Sequence, residues 1–109
     1  MHHVEVNTLS LKPLFEPKSI AIFGASENKN RIGYLQLKAL LNAGYKGNIY
    51  PINPKSTEIE GLPAYKSVKD VPTEVDLAIL CVNANLVEQC LIESGESGVK
   101  SAIVFASGY

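Results

Sequence analysis

The run VDLAILCV, Val75 to Val82, does most to limit what this chain can become. After Asp76 it is almost continuously apolar, with no alternation that would leave one face for water. A strand of that kind has to be covered on both sides, as a parallel strand is inside an α/β sheet. Other segments fit the same frame. SIAIFG, Ser19 to Gly24, is a second short run of strand formers, stopped by glycine, and SAIVFASGY, Ser101 to Tyr109, returns to strand and ends in small residues. Between these runs lie helical periods. IGYLQLKALLNAG sets Ile32, Leu35, Leu37, Leu40 and Leu41 at three- and four-residue spacings, with Gly44 as the stop, which makes an amphipathic helix of about three turns. NLVEQCLIESGESG, Asn85 to Gly98, is a second helix with Leu86, Val87, Cys90 and Leu91 on one face and Asn85 as its N-cap.

The middle of the chain is more broken. NIYPINP, Asn48 to Pro54, is a strand in which Pro51 argues against a fully hydrogen-bonded central position. STEIEGLPAYKSVKDVP, punctuated by Gly61, Pro63 and Pro72, reads as a small turn, a short strand near Ala64 and Tyr65, and one helical turn around Ser67 to Asp70. Strands alternating with helices predict an α/β fold: a Rossmann-like, doubly wound parallel sheet of about four to five strands in three layers. At 109 residues the chain has room for one such domain, with residues 1–13 as an N-terminal tail and 14–109 as the domain.

Composition excludes several classes. With 46% hydrophobic and 19% charged residues and a net charge of -1, bulk charge points neither to nucleic acid nor to a membrane surface. No apolar run is long enough to span a bilayer and MHHVEVNTLS lacks the apolar centre of a secretion signal, so the expectation is a cytoplasmic protein. Cys81 and Cys90 have neither CxxC spacing nor a nearby histidine and read as reduced, mostly buried thiols. His2 and His3 lie in the tail, where a catalytic base would be poorly held. No metal site and no catalytic residue is expected.

The chemistry concentrates in IFGASENKNRIGY, Ile22 to Tyr34. Strand, glycine turn and helix N-terminus together make an anion site, because unpaired backbone N–H groups and the positive end of the helix dipole converge there. Gly24 allows the turn, Gly33 allows close approach of a phosphate, Ser26 adds a hydroxyl, and Lys29 and Arg31 add charge. A GxGxxG dinucleotide fingerprint is absent, since Ser26 and Lys29 stand where its later glycines belong. A GxxxxGK nucleotide-hydrolase loop is absent too, because Tyr34 follows Gly33. Beyond the next strand, where NAD-binding domains place an acid for the ribose, this chain has Asn53, Pro54 and Lys55. Lys55, without an acid at Asn53, suits a phosphorylated ribose, of NADP or coenzyme A; by position alone it reads equally as a solvated lysine in a turn.

Taken in order, LFEPKSIAIFGAS, RIG, GYKGNIYPINPK, GLPAYKSVKDVP, VDLAILCV and GVKSAIVFASGY resemble the N-terminal coenzyme A-binding domain of NDP-forming acyl-CoA synthetases, relatives of the succinyl-CoA synthetase alpha subunit. The resemblance covers Leu14 to Tyr109. It implies that Gly24, Ala25, Ser26, Arg31, Ile32 and Gly33 hold the phosphates, and that Lys55, beside Asn53, lies near the adenosine phosphate. By the same resemblance, Val82, Asn83 and Ala84 line the adenine and pantetheine path, and Ala106, Ser107 and Gly108 lie near the thiol. Many relatives have proline where this chain has Asn83. The family's phosphohistidine and ATP-grasp site belong to other domains or subunits, so the expectation is a coenzyme A- or acyl-CoA-binding fragment of a longer ATP-dependent ligase. Three alternatives stay open: a regulatory coenzyme A-binding domain fused to an acetyltransferase, an NADP-binding domain of an oxidoreductase, and an interaction module without ligand.

Overall fold

The computed structural model describes residues 3–6 and 16–105. Their main sheet has five strands: β1 (His3–Val6), β2 (Ser19–Phe23), β3 (Asn48–Ile52), β6 (Leu77–Leu80) and β7 (Ser101–Val104), in the order β1-β7-β6-β2-β3. A hairpin of β4 (Glu58–Ile59) and β5 (Leu62–Pro63) stands apart. The helices are α1 (Ile32–Asn42) and α2 (Val87–Glu96), with 3-10 turns at Val68–Asp70 and Ala84–Leu86. All contacts among β3, β2, β6 and β7 are parallel, with Ile22 opposite Pro51 on one side and Ile79 on the other. β1, which falls inside the stretch expected as a tail, pairs antiparallel with β7. It is short, and its sequence alternates His-Val-Glu-Val rather than running apolar, so it lacks the signal of a strand buried on both faces.

Both faces of the sheet are covered, as the continuous apolar runs require. Every residue of β2 and β6 is buried. On one face Ile20, Ile22, Leu77 and Ile79 pack with Leu37 of α1 and Ile59 of the hairpin; on the other, Ala21, Phe23, Ala78 and Leu80 pack with Val68 and with Val87, Cys90 and Leu91 of α2. That is the expected three-layer arrangement. α1 stops where Gly44 takes φ +75, the left-handed cap.

Pro51 is accommodated by position. β3 is the last strand of the sheet, and the Ile52 carbonyl turns inward to accept the Gly24 N–H at 3.1 Å, while the Pro51 carbonyl turns outward to accept the Tyr65 N–H at 2.9 Å. The donor that proline lacks therefore faces away from β2, where no ladder bond is lost. Tyr65 also forms a single parallel bridge with Ile52, which accounts for the strand signal near it. The expected helical turn is present at Val68–Asp70, capped by the Ser67 hydroxyl, which accepts the Lys69 N–H.

Two details of the second helix differ from the sequence reading. Asn85 is not the N-cap: it lies inside the Ala84–Leu86 turn, and Leu86 occupies the cap of α2 without a side-chain bond. Leu86 also leaves the apolar face and is 47% exposed. The 3-10 turn, held by the Leu86 N–H donating to the Asn83 carbonyl at 2.9 Å, winds more tightly than an α-helix and rotates Leu86 out of the stripe.

Candidate functional site

The connections after β2 and after β6 leave on opposite faces, one to α1 and one to α2, so a crevice opens between the C-terminal ends of these two neighbouring strands. It is a cleft of about 580 Å³. Gly24, Cys81 and Phe105 form its floor, each the first residue beyond its strand. Ser26, Asn30, Arg31, Ile32 and Gly33 form one wall, Asn53, Pro54 and Lys55 a second, and Val82, Asn83 and Leu86 a third. Among the described residues two cations and no carboxylate line it, in a chain of net charge -1. Such a lining favours an anion.

Gly24 is required by two features. Its φ is +82, and a Cβ there would overlap the Cys81 carbonyl oxygen on the neighbouring strand. Gly33 has a different role from the one its spacing implied. A Cβ at Gly33 would overlap the Gly24 carbonyl oxygen, so this glycine lets α1 sit on the end of β2. Together the two glycines bring the α1 N-terminus down to the sheet. α1 begins without a side-chain cap, with Arg31 at the N-cap position, so its first-turn N–H groups lack intrahelical acceptors beside the cleft.

The loop between the glycines is shaped by its own side chains. The Ser26 hydroxyl accepts the Asn28 N–H at 2.9 Å, and Asn28 Oδ1 accepts the Asn30 N–H at 2.9 Å. Ser26 keeps its hydroxyl hydrogen for a further acceptor. Asn53 ties this loop to the next one: its Nδ2 donates to the Ala25 carbonyl at 2.8 Å and its Oδ1 accepts the Lys55 N–H at 2.8 Å. An aspartate could accept from Lys55 but could not donate to Ala25, so the missing acid at this position has a structural cause as well as any ligand it suits.

Most of the expected site residues meet in this cleft: Gly24, Ser26, Arg31, Ile32, Gly33, Asn53, Lys55, Val82 and Asn83. Two do not. Ala25 is fully buried on the α1 side of the sheet and offers its carbonyl to Asn53, because the left-handed turn at Gly24 breaks the alternation of β2, which would have put it on the face of Ala21 and Phe23. Ala84 starts the 3-10 turn and is not part of the lining. Ala106, Ser107 and Gly108 lie outside the described residues.

The sequence reading missed Asn30, Pro54, Cys81, Leu86 and Phe105 as lining residues. Cys81 and Phe105 had a usable signal, since each directly follows a strand whose end faces the switch in strand order. Leu86 had none. Burial pushes the Cys81 thiol up to about 12, and burial aided by Glu93 pushes Cys90 up to about 11, so both are neutral thiols at physiological pH and not nucleophiles. Among the described residues no cluster of side chains suits a metal ion, and no helix is long and apolar enough to cross a membrane.

Comparison with known proteins gives this chain a family. The chain is 46% identical over 105 residues to the alpha subunit of acetate–CoA ligase [ADP-forming] I from Pyrococcus furiosus, covering 93% of this chain and 23% of that protein. It superposes with a TM-score of 0.88 and 43% identity on the dinucleotide forming acetyl-coenzyme A synthetase 1 of Ca. Korarchaeum cryptofilum, solved with phosphate and ADP, covering 92% of this chain and 22% of that one. A conserved hypothetical protein from Pyrococcus furiosus matches at 36% identity and a TM-score of 0.73, covering 81% of this chain and 74% of its own. The chain thus spans less than a quarter of the length of the two ligase relatives. Residues 18–109 match the family described as CoA binding domain, and the chain belongs to it.

Proposed function

We propose that this cleft binds coenzyme A as a substrate, and that the chain is the CoA-binding part of an NDP-forming acyl-CoA synthetase, which interconverts acid, CoA and ATP with acyl-CoA, ADP and phosphate. The observation that carries this reading is the lining itself. Arg31, Lys55 and the uncapped start of α1 surround a space that no carboxylate lines among the described residues, in a chain of the CoA binding domain family. In this reading the pyrophosphate lies against the α1 N-terminus, within reach of Ser26 and Arg31, and Lys55 meets the ribose 3′-phosphate. Ile32, Val82 and Leu86 give apolar surface for the adenine and the pantetheine arm, while Asn83 supplies a polar edge. Ser107 and Gly108 belong near the thiol end by resemblance to the family. Binding, orientation and charge neutralisation are this chain's share; phosphoryl and acyl transfer belong to further ligase domains or a partner subunit, in the cytoplasm.

Isothermal titration with coenzyme A, 3′-dephospho-CoA and NADP tests the proposal. Saturable binding of coenzyme A is expected, with a weaker constant for the dephospho form. Absence of binding, equal affinity for the two CoA forms, or tighter binding of NADP would each count against it.

A further inference from the structure

Glu27 is out of character for its position. It is a carboxylate at the crest of a loop whose other charged residues are Lys29 and Arg31, where it opposes any bound anion unless it is turned away and held. The β4–β5 hairpin does the holding. Its turn residues, Glu60 and Gly61, have φ of +52 and +79, the pattern of a two-residue type I′ turn. Asn, Asp or Gly is favoured at the first of these positions, and glutamate there costs backbone energy. Among the described residues Glu60 is the only non-glycine with positive φ.

Its N–H and its carboxylate are both in use. The Glu60 N–H, which the Ile59–Leu62 pairing of the hairpin leaves free, donates to Glu27 Oε2 at 2.7 Å. The Glu60 carboxylate accepts from Lys38 Nζ of α1 at 3.1 Å. That hydrogen bond, with the Glu60 charge, raises the Lys38 pKa. Loop, hairpin and helix thus form a closed chain of contacts whose side chains are not part of the cleft lining.

We propose that Glu27 and Glu60 are positioning residues: the hairpin turn latches the anion loop from outside the cleft lining and presets it for the CoA pyrophosphate. This rests on the function proposed above for the cleft. Holding the loop before binding removes part of the ordering cost from the binding step. The latch acts on the loop and not on Lys55, so its loss weakens all ligands that carry the pyrophosphate, whether or not they carry the 3′-phosphate.

The test compares E27A, which removes the acceptor, with E27Q, whose amide oxygen still accepts the Glu60 N–H. Both are read by titration with coenzyme A and 3′-dephospho-CoA and by hydrogen exchange of the Glu60 amide. E27A is expected to weaken both ligands by about three- to tenfold, in equal proportion, and to speed exchange at Glu60; E27Q is expected to restore both measures. Binding by E27A within twofold of the unsubstituted chain overturns the proposal, and so does an E27Q variant as weak as E27A. If the unsubstituted chain binds neither ligand, the reading of the cleft falls. The exchange measurement then decides the latch alone, and unchanged exchange in E27A overturns it.

Discussion

At the N-terminal ends of β2 and β6, polar groups are closed upon one another. The Ser19 hydroxyl donates to the Glu74 carbonyl at 2.8 Å and accepts the Asp76 N–H at 3.0 Å. Asp76 accepts the Lys18 N–H at 2.8 Å and pairs with Lys100 at 3.5 Å. At the C-terminal ends of the same two strands the pattern reverses. No carboxylate among the described residues pairs with Arg31 or Lys55, α1 starts uncapped, and Asn53, which bridges the two loops, bonds backbone. One end uses its polar groups to hold the sheet together; the other leaves positive charge and N–H groups unspent.

Substitutions should separate the two ends. The largest effect is expected from Gly24→Ala, where positive φ and overlap with the Cys81 carbonyl act together. A loss of about 3 kcal/mol in chemical denaturation is expected, with CoA binding lost as well. Survival of both stability and binding would show that the turn can rearrange and that the close approach of β2 to β6 is not needed. Ser19→Ala, at the opposite end, removes a buried hydroxyl with a donor and an acceptor role. It should cost about 1–2 kcal/mol and leave the CoA dissociation constant unchanged; a change in affinity would mean the two ends are coupled.

Lys55→Ala reverses that signature. Its side chain has no partner to lose among the described residues, so the melting temperature should hold. Affinity for coenzyme A should fall about tenfold, with 3′-dephospho-CoA unaffected. Equal weakening of both ligands would move Lys55 from the 3′-phosphate to the pyrophosphate. The smallest effect belongs to neither end. Gly95 lies within α2 with open space around it, so Gly95→Ala should stabilise the fold by about 0.5–1 kcal/mol without touching binding. It serves as the measure of what a glycine costs when nothing requires it.

Legibility followed the same division. Strands buried on both faces were plain in SIAIFG and VDLAILCV because continuous apolar character has few other uses. β1 was not, since His-Val-Glu-Val carries only the weak pattern of an edge strand that needs β7 to define it. Lys55 and Arg31 were found because each follows a recognisable element at the right end of the sheet. Leu86 was misplaced because its apparent helical phase belonged to a 3-10 turn.

The alternation of strands and helices from Ser19 to Val104, the glycine turn before a helix in Ile22 to Tyr34 and the resemblance to a family were all present in the sequence, because each depends on neighbours along the chain. The strand order β1-β7-β6-β2-β3, the packing reason for Gly33, the clasp made by Asn53 and the Glu27–Glu60–Lys38 latch were decided only in three dimensions. Each of these joins residues from different elements, and a carbonyl that forbids a Cβ or a carboxylate that captures a turn N–H leaves no periodic trace in the order of amino acids.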